Sequence, residues 1–310
     1  QQGIFTEIEH AVSSTTRLAG GARADLWEVT DNRATVRNGM MTVPNPTANA
    51  VDKDTLTSGF VRLEHDITAQ QQLLFGLGHS ERIADYWERF STQSTTTLSG
   101  FLTQPEQTTQ LDAGWQFRSS DVKATVSLYL SDIRDYILID TTVAGKVGTA
   151  VSRNINAKTW GGEADVAWAI ATHWTLTGAI ALARGENSTD GTDLAQMSPI
   201  EARLGVNYRQ PTWSTGALLR LVNRQDSVDV GKGNIVGQDI GATTGFGIFS
   251  LNASWTPMKA LTLSTGVDNL FDKTYAEHLS RGGAMVSGFV QTTRVNEPGR
   301  LVWLKASTTF

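Results

Sequence analysis

Residues 122–130 read VKATVSLYL, and the alternation in this short stretch decides the fold. Apolar and polar side chains take turns along it, with Tyr129 as the exception. In a β-strand, successive side chains point to opposite faces, so this segment has one apolar face and one polar face. The apolar positions are Val122, Ala124, Val126, Leu128 and Leu130, and the polar positions between them are Lys123, Thr125 and Ser127.

The same alternation recurs in segments 111–118, 201–209 and 249–255. Many alternating segments extend over about 10 to 13 residues, which is near the length that a tilted strand needs to cross a bilayer. Strands of globular proteins average about 5 to 6 residues. The pattern therefore predicts an all-β protein built from long, antiparallel, membrane-crossing strands.

Short and long connections alternate along the chain, which is typical of an outer-membrane β-barrel with short turns at one rim and long loops at the other. Gly, Thr, Ser, Asn and Asp are frequent in the long segments, as connections require. The predicted short turns lie near residues 13–14, 68–69, 119–120, 171–172, 211–212 and 257–258, and the predicted loops near 30–54, 84–105, 140–157, 187–198, 227–244 and 272–298.

The composition fits this prediction and excludes several other classes of protein. Among the 310 residues, 40% are hydrophobic, and no run of about 18 apolar residues could form a transmembrane helix. The absence of cysteine excludes disulfide frameworks and thiolate metal sites. The net charge of −5 argues against a nucleic-acid partner.

Aromatic residues near the predicted turns support a membrane location. Trp174, Trp213 and Trp255 each lie within a few residues of a short turn. Tryptophan favours the boundary between membrane and water, where the ring is in an apolar layer and its N–H remains hydrated. We therefore predict that these three residues belong to an aromatic girdle.

The chain ends in an alternating segment with Val302, Leu304, Ala306 and Phe310 on one face. A final amphipathic strand that ends in an aromatic residue resembles the recognition signal of the outer-membrane barrel-assembly machinery. Phe310 is therefore predicted to be an assembly signal, although the third residue from the end, Thr308, departs from the commoner aromatic residue there.

The strand count predicts that the barrel is partial. Counting between the turns gives about 13 strands, whereas closed bacterial barrels usually have an even number. An odd number would leave an open sheet edge in lipid. We therefore expect additional strands before Gln1.

Residues 266–275, GVDNLFDKTY, resemble the signature near the end of TonB-dependent outer-membrane receptors. From the residues alone, Asn269 and Asp272 suit the end of a strand, where their side chains can bond to freed backbone groups. We therefore predict a structural strand-to-loop transition at Asn269, Leu270, Phe271, Asp272 and Tyr275, without ligand contacts. Further similar segments are 128–137 (LYLSDIRDYI), 161–164 (GGEA) and 174–178 (WTLTG).

The resemblance implies an architecture and a mechanism. Residues 1–310 would form the C-terminal portion of a 22-stranded barrel whose N-terminal plug and energy-coupling TonB box lie outside this sequence. Ligand would bind from outside, the TonB complex would pull on the plug, and the ligand would pass through the barrel. The implied partners are outer-membrane lipid, the TonB complex, the assembly machinery and the transported ligand.

Two further segments resemble the copper-receptor branch of the family, namely 275–281 (YAEHLSR) and 294–300 (RVNEPGR). Copper prefers Met, His and Cys donors, and the chain has five Met and five His. They show no compact metal-binding spacing, so we assign no metal or cofactor residues and expect the primary copper ligands in the N-terminal portion. The donors in predicted loops are Met40, Met41, Met197, His278 and Met285.

The sequence is also compatible with other functions. Within the family, the ligand could instead be a ferric siderophore, haem or cobalamin. Outside it, a passive porin or an outer-membrane enzyme would also form a barrel. The sequence contains no serine-nucleophile elbow and no helical zinc motif, so we predict no catalytic residues.

Overall fold

The structure is a computed structural model, and it describes residues 1–38, 41–90, 100–143, 150–283, 287–288 and 292–309. Within these residues, one large antiparallel sheet contains thirteen strands that pair in sequence order. The predicted all-β fold and the predicted number of strands are therefore confirmed. The strands are β1 (Gln2–Ala11), β2 (Thr16–Thr30), β3 (Val51–Thr68), β4 (Gln71–Arg82), β5 (Glu106–Arg118), β6 (Val122–Asp140), β7 (Val151–Ala171), β8 (Trp174–Asn187), β9 (Glu201–Arg209), β10 (Trp213–Val222), β11 (Phe246–Met258), β12 (Leu261–Asp268) and β13 (Leu301–Thr308).

Smaller elements lie in the connections. A two-stranded hairpin pairs Thr35–Asn38 with Met41–Pro44. Two short segments, Thr192–Asp193 and Lys232–Gly233, add to β8 and β6 respectively. One connection holds a helix, α1 (Tyr86–Phe90), and a 3₁₀ turn at 100–102. No helix among the described residues is long and apolar enough to cross a membrane.

The connections alternate between two rims, as predicted. Short turns at 12–15, 69–70, 119–121, 172–173, 210–212 and 259–260 form one rim. We call the opposite rim, which carries the long connections, the outer rim. These connections, called the outer loops, are 31–50, 83–105, 141–150, 188–200, 223–245 and 269–300.

Two predicted loops extend into strands. The loop expected at 30–54 ends before Val51, which already pairs with Thr30. The loop expected at 140–157 begins after Asp140 and ends before Val151, because residues 151–157 of β7 already pair with β6. The register between these strands shifts between Ile133 and Tyr136, and Asp135 within this irregularity has a φ of 55°. The bulge lies in β6 and does not affect the prediction. The missed part of β7, residues 151–157 (VSRNINA), is rich in Ser, Arg and Asn and therefore resembles a connection in the sequence.

The strand register places the apolar side chains in continuous rows across the sheet. In one row each residue lies directly opposite the next across eight neighbouring strands. We call this side of the sheet the apolar face, and the side that carries Ser127, Glu163 and Arg203 the polar face. The row consists of Val122, Trp168, Leu176, Val206, Ala217, Leu251, Val267 and Val302.

The apolar side chains in the middle of the sheet are exposed rather than packed into a core. Leu128 is 56% exposed and Leu130 is 53% exposed. The buried hydrophobic cluster instead lies towards the outer rim and comprises Ile133, Leu138, Ile155, Ala157 and Leu194. A broad exposed apolar band on an antiparallel sheet is the arrangement that a bilayer covers.

The aromatic residues near the short turns form a group, as the girdle prediction requires. The Tyr208 ring lies 4.8 Å from the Trp174 ring and 5.2 Å from the Trp213 ring, measured between centroids. Trp213 lies directly opposite Trp255 across β10 and β11. All three tryptophans are exposed at the rim with the short turns.

The sheet is open. In the described part of the chain, β1 pairs only with β2, and β13 pairs only with β12. The fold is therefore a partial barrel whose two edge strands retain free backbone groups.

Replacing Leu128 with lysine should lower the free energy of unfolding in lipid vesicles by about 2–4 kcal/mol, because a charge would face the apolar layer near mid-strand. The neighbouring Ser127→Lys variant is the control, since Ser127 lies on the polar face and is exposed. Denaturant titration of the vesicle-inserted protein measures both values. Equal losses in the two variants would contradict the assignment of the faces.

Candidate functional site

A cavity of about 960 Å³ opens on the polar face and extends to the outer rim. Strands β6 to β10 contribute its wall, and residues 277–279 of the last outer loop cover one side. Its charged lining residues are Glu163, Asp165, Glu201, Arg203, Arg220 and Glu277. Glu163 and Asp165 are exposed, and within the described residues neither forms an ion pair. The cavity is therefore open to solvent and lined by charged groups as well as by apolar side chains.

A chain of ion pairs fastens the last outer loop to the wall of this cavity. Arg203 and Arg220 lie directly opposite each other on β9 and β10, an arrangement that like charges alone would disfavour. The Glu201 carboxylate accepts a hydrogen bond from each of them. The distance is 2.6 Å from Arg203 Nε to Oε1 and 2.6 Å from Arg220 Nη2 to Oε2. Arg220 Nη1 also donates to Glu277 Oε1 at 2.5 Å. Arg220 thus joins the strand wall to the loop 269–300.

Aromatic contacts reinforce the same attachment. The Arg220 guanidinium lies 5.3 Å from the centre of the Phe246 ring, which in turn lies 4.4 Å from the Tyr275 ring. Burial raises the pKa of Tyr275, and the nearby Glu277 raises it further. Tyr275 therefore remains a neutral phenol that packs the start of the loop against β11.

The signature residue Asn269 forms the turn that follows the end of β12. Asn269 is buried and has a φ of 51°, in the left-handed region that asparagine tolerates better than most residues. Its side-chain amide donates to Lys273 O at 2.8 Å, while its side-chain oxygen accepts from Lys273 N at 2.8 Å. These reciprocal bonds close a tight turn over 269–273.

The remaining signature residues also contact the main chain or neighbouring rings. Leu270 N donates to Phe249 O at 2.8 Å, and Asp272 Oδ1 accepts from Arg300 N at 2.8 Å. Phe271 is exposed, with its ring 6.0 Å from that of Phe249. These contacts are compatible with a structural strand-to-loop role, which stays a prediction.

His278 is buried between two outer loops. Its Nδ1 lies 3.0 Å from Thr243 Oγ1, and its Nε2 faces Asp239 Oδ1 at 3.7 Å without a hydrogen-bond partner. Burial lowers the pKa of His278, Arg294 lowers it further, and Asp239 opposes both effects. The imidazole is therefore neutral at neutral pH.

Of the candidate copper donors, the three in the described residues, Met41, Met197 and His278, do not come together. Met41 is exposed on its hairpin, whereas the Met197 side chain packs against the buried apolar cluster. In the described ranges, no group of three or more His, Asp or Glu side chains could hold a metal ion. Met40, Met285 and the predicted assembly signal Phe310 lie outside the described residues.

Sequence reasoning missed the contacts of Arg220, Asp239 and Arg294. Arg220 gave a weak signal, because it interrupts the apolar run ALLRLV at a polar-face position. Asp239 and Arg294 gave none, since each lies in a polar loop and contacts residues far away in sequence.

The comparisons with known proteins agree with this architecture. The family model described as "TonB dependent receptor-like, beta-barrel" matches residues 1–270. No curated protein sequence matches the chain.

Several solved structures resemble the protein. The copper transporter OprC is 39% identical, with a TM-score of 0.93, over 99% of this chain and 48% of OprC. The FrpB iron transporter of Neisseria meningitidis (F3-3 variant) is 16% identical, with a TM-score of 0.70, over 99% of this chain and 45% of FrpB. The ferric yersiniabactin uptake receptor FyuA of Yersinia pestis is 15% identical, with a TM-score of 0.71 and the same coverages. The chain therefore spans about half the length of these proteins.

Replacing Asn269 with alanine should lower the free energy of unfolding by about 1–2 kcal/mol, because the bonds to Lys273 are lost and alanine disfavours the left-handed conformation. Asn296→Ala is the matched control, since Asn296 is exposed in the same loop. Denaturant titration in detergent micelles measures both. A loss no larger than that of the control would show that the turn does not depend on this side chain.

Proposed function

The chain belongs to the TonB dependent receptor-like β-barrel family of the bacterial outer membrane, and on this premise we propose that it is the C-terminal barrel portion, residues 1–310, of a receptor that imports copper. The observation that carries the copper assignment is the 39% identity to the copper transporter OprC over 99% of the chain. The iron transporter and siderophore receptor that match are about 15% identical, so they support the fold alone.

The proposed mechanism requires no covalent chemistry. Ligand enters from the outer rim, where the loop 269–300 is fastened to the wall through Glu277 and Arg220. A plug domain elsewhere in the receptor closes the barrel, and the TonB complex moves it through the TonB box. The polar face then forms part of the wetted pathway, while the apolar face contacts lipid.

The primary copper donors belong to another part of the receptor in this proposal. Copper favours thiolate, thioether and imidazole ligands. In the described part of this chain, Met41, Met197 and His278 point to separate surroundings and do not form one ligand set. The barrel portion therefore contributes the pathway and the outer loops rather than the main metal site.

The proposal includes further partners. Outer-membrane lipid covers the apolar face, and the TonB complex supplies the energy for transport. The barrel-assembly machinery inserts the protein by recognising the final strand and Phe310. A ferric siderophore, haem or cobalamin receptor is the competing proposal within the family, and a passive porin-type channel is the competing proposal outside it.

Calorimetry on the full-length receptor should detect copper binding at micromolar concentration or tighter, and no comparable heat with a ferric siderophore or haem. Copper uptake into cells should require both the receptor and a functional TonB protein, with a strain that lacks TonB as the control. Binding of a siderophore or haem without binding of copper would overturn the copper assignment. Uptake that is independent of TonB would favour the passive channel.

A further inference from the structure

Two outer loops meet at a cluster of four side chains, three of them buried, which we call the outer-loop clasp. Thr243 and Asp239 come from the loop 223–245, and His278 and Arg294 come from the loop 269–300. Asp239, His278 and Arg294 are buried, although their side chains are ionisable. Buried ionisable groups between loops are unusual unless paired, so their arrangement determines how firmly the loops hold together.

Asp239 is held by hydrogen bonds from residues outside the clasp. Its Oδ1 accepts from both Gln196 N and Gln196 Nε2 at 3.0 Å, and its Oδ2 accepts from Asp229 N at 2.9 Å. The carboxylate is therefore held in position by three hydrogen bonds that do not involve His278. Its Oδ1 lies opposite His278 Nε2 at 3.7 Å, beyond hydrogen-bond distance.

Arg294 places a permanent positive charge beside the imidazole. Its Nε donates to His278 O at 3.1 Å, and its Nη2 donates to Gly241 O at 2.6 Å. These two bonds join the ends of the loop 269–300 to each other and to the loop 223–245. The Arg294 guanidinium thus links the two loops. A proton on the His278 imidazole would place a second positive charge near it.

The other charged groups nearby are engaged elsewhere. Glu277, the neighbour of His278, points to Arg220 on the barrel wall. Lys232 pairs with Asp229 at 2.9 Å and with Asp190 at 3.3 Å. Among the described residues, Asp239 and Arg294 are therefore the charges that act on the His278 imidazole, one attracting and one repelling a proton.

We propose that the clasp is a proton-sensitive fastening between the two outer loops, which is closed while His278 is neutral and released when its imidazole takes up a proton. A protonated His278 would be a buried cation beside Arg294. The Asp239 carboxylate would attract it across 3.7 Å but forms no hydrogen bond with it, and this attraction does not offset the burial and the repulsion from Arg294. Separation of the loops hydrates the cation and relieves the repulsion. This inference is independent of which ligand the receptor carries.

The direction of the pH dependence follows from the burial of His278. Because its pKa in the closed clasp lies below the ordinary value of 6.5, the open form binds the proton more readily than the closed form. The contribution of His278 to closure is complete above pH 6.5 and is lost as the pH falls through the window below it. One titrating group changes the closing equilibrium by at most about tenfold per pH unit.

Hydrogen–deuterium exchange on the full-length receptor in lipid nanodiscs tests the proposal. The informative amides lie next to the clasp, one in each loop. Thr243 donates to Gln225 O within the loop 223–245, and Val295 donates to Arg281 O within the loop 269–300. After correction for intrinsic exchange, their protection should fall by up to about tenfold between pH 6.5 and 5.5. Amides of β9 should show no such fall over the same range.

His278→Asn should abolish this pH dependence, because asparagine can still reach Thr243 but does not titrate. His173→Asn is the matched control, since His173 is exposed in a short turn, and it should retain the parental response. The same acid-induced loss in the His278→Asn variant, or unchanged protection in the parent at pH 5.5, would overturn the proposal.

If the His278→Asn variant has open loops at every pH, a titration of His278 in the parent receptor provides the second test. Histidine-selective isotope labelling and NMR of the parent receptor give the pKa of His278, with the variant providing the assignment. We expect a pKa below 6.5 that coincides with the exchange transition. A pKa at or above 6.5 would show that protonation strengthens the clasp, contrary to the proposal.

Discussion

The hydrogen bonding of the main chain is the constraint on which the rest of this structure depends. In a bilayer, an unpaired N–H or C=O costs several kcal/mol, so each strand must find its partners within the protein. Among the described residues, the eleven inner strands meet this requirement by pairing on both sides, whereas the edge strands β1 and β13 each pair on one side. Strand-to-strand register then determines which side chains form the continuous rows of the apolar face. The sheet needs no dry interior, because lipid covers the side that a soluble protein would have to bury.

The sequence allowed the sheet to be predicted because strand alternation is a local property. A period of two residues is visible in segments such as 122–130 without knowledge of any partner strand. The prediction of the loop at 140–157 failed at residues 151–157 (VSRNINA), because their Ser, Arg and Asn side chains are typical of a connection although the residues pair with β6. The outer-loop contacts were inaccessible for a different reason. Glu277 binds Arg220 across 57 residues, and His278 contacts Thr243 across 35, so neither contact has a local signal.

The last outer loop illustrates how two adjacent residues can serve different attachments. Glu277 reaches the strand wall through Arg220, where solvent partly screens the ion pair. His278 turns to the neighbouring loop and is shielded from water. Salt weakens the partly exposed ion pair of Glu277 with Arg220 more than the buried contact of His278. Protons act on the contact of His278. The mouth of the barrel is therefore held by two contacts that respond to different features of the surrounding medium.

The difference between the two rims has a consequence for evolution. Inserting one residue into a short turn such as 69–70 would shift the following strand by one position. Each side chain of that strand would then point to the opposite face of the sheet, so that the lipid-facing residues would face water and the reverse. A long loop such as 269–300 can absorb the same insertion without moving its strands. Length variation among descendants of this chain should accordingly accumulate at the outer rim, while the opposite rim keeps a nearly constant number of residues.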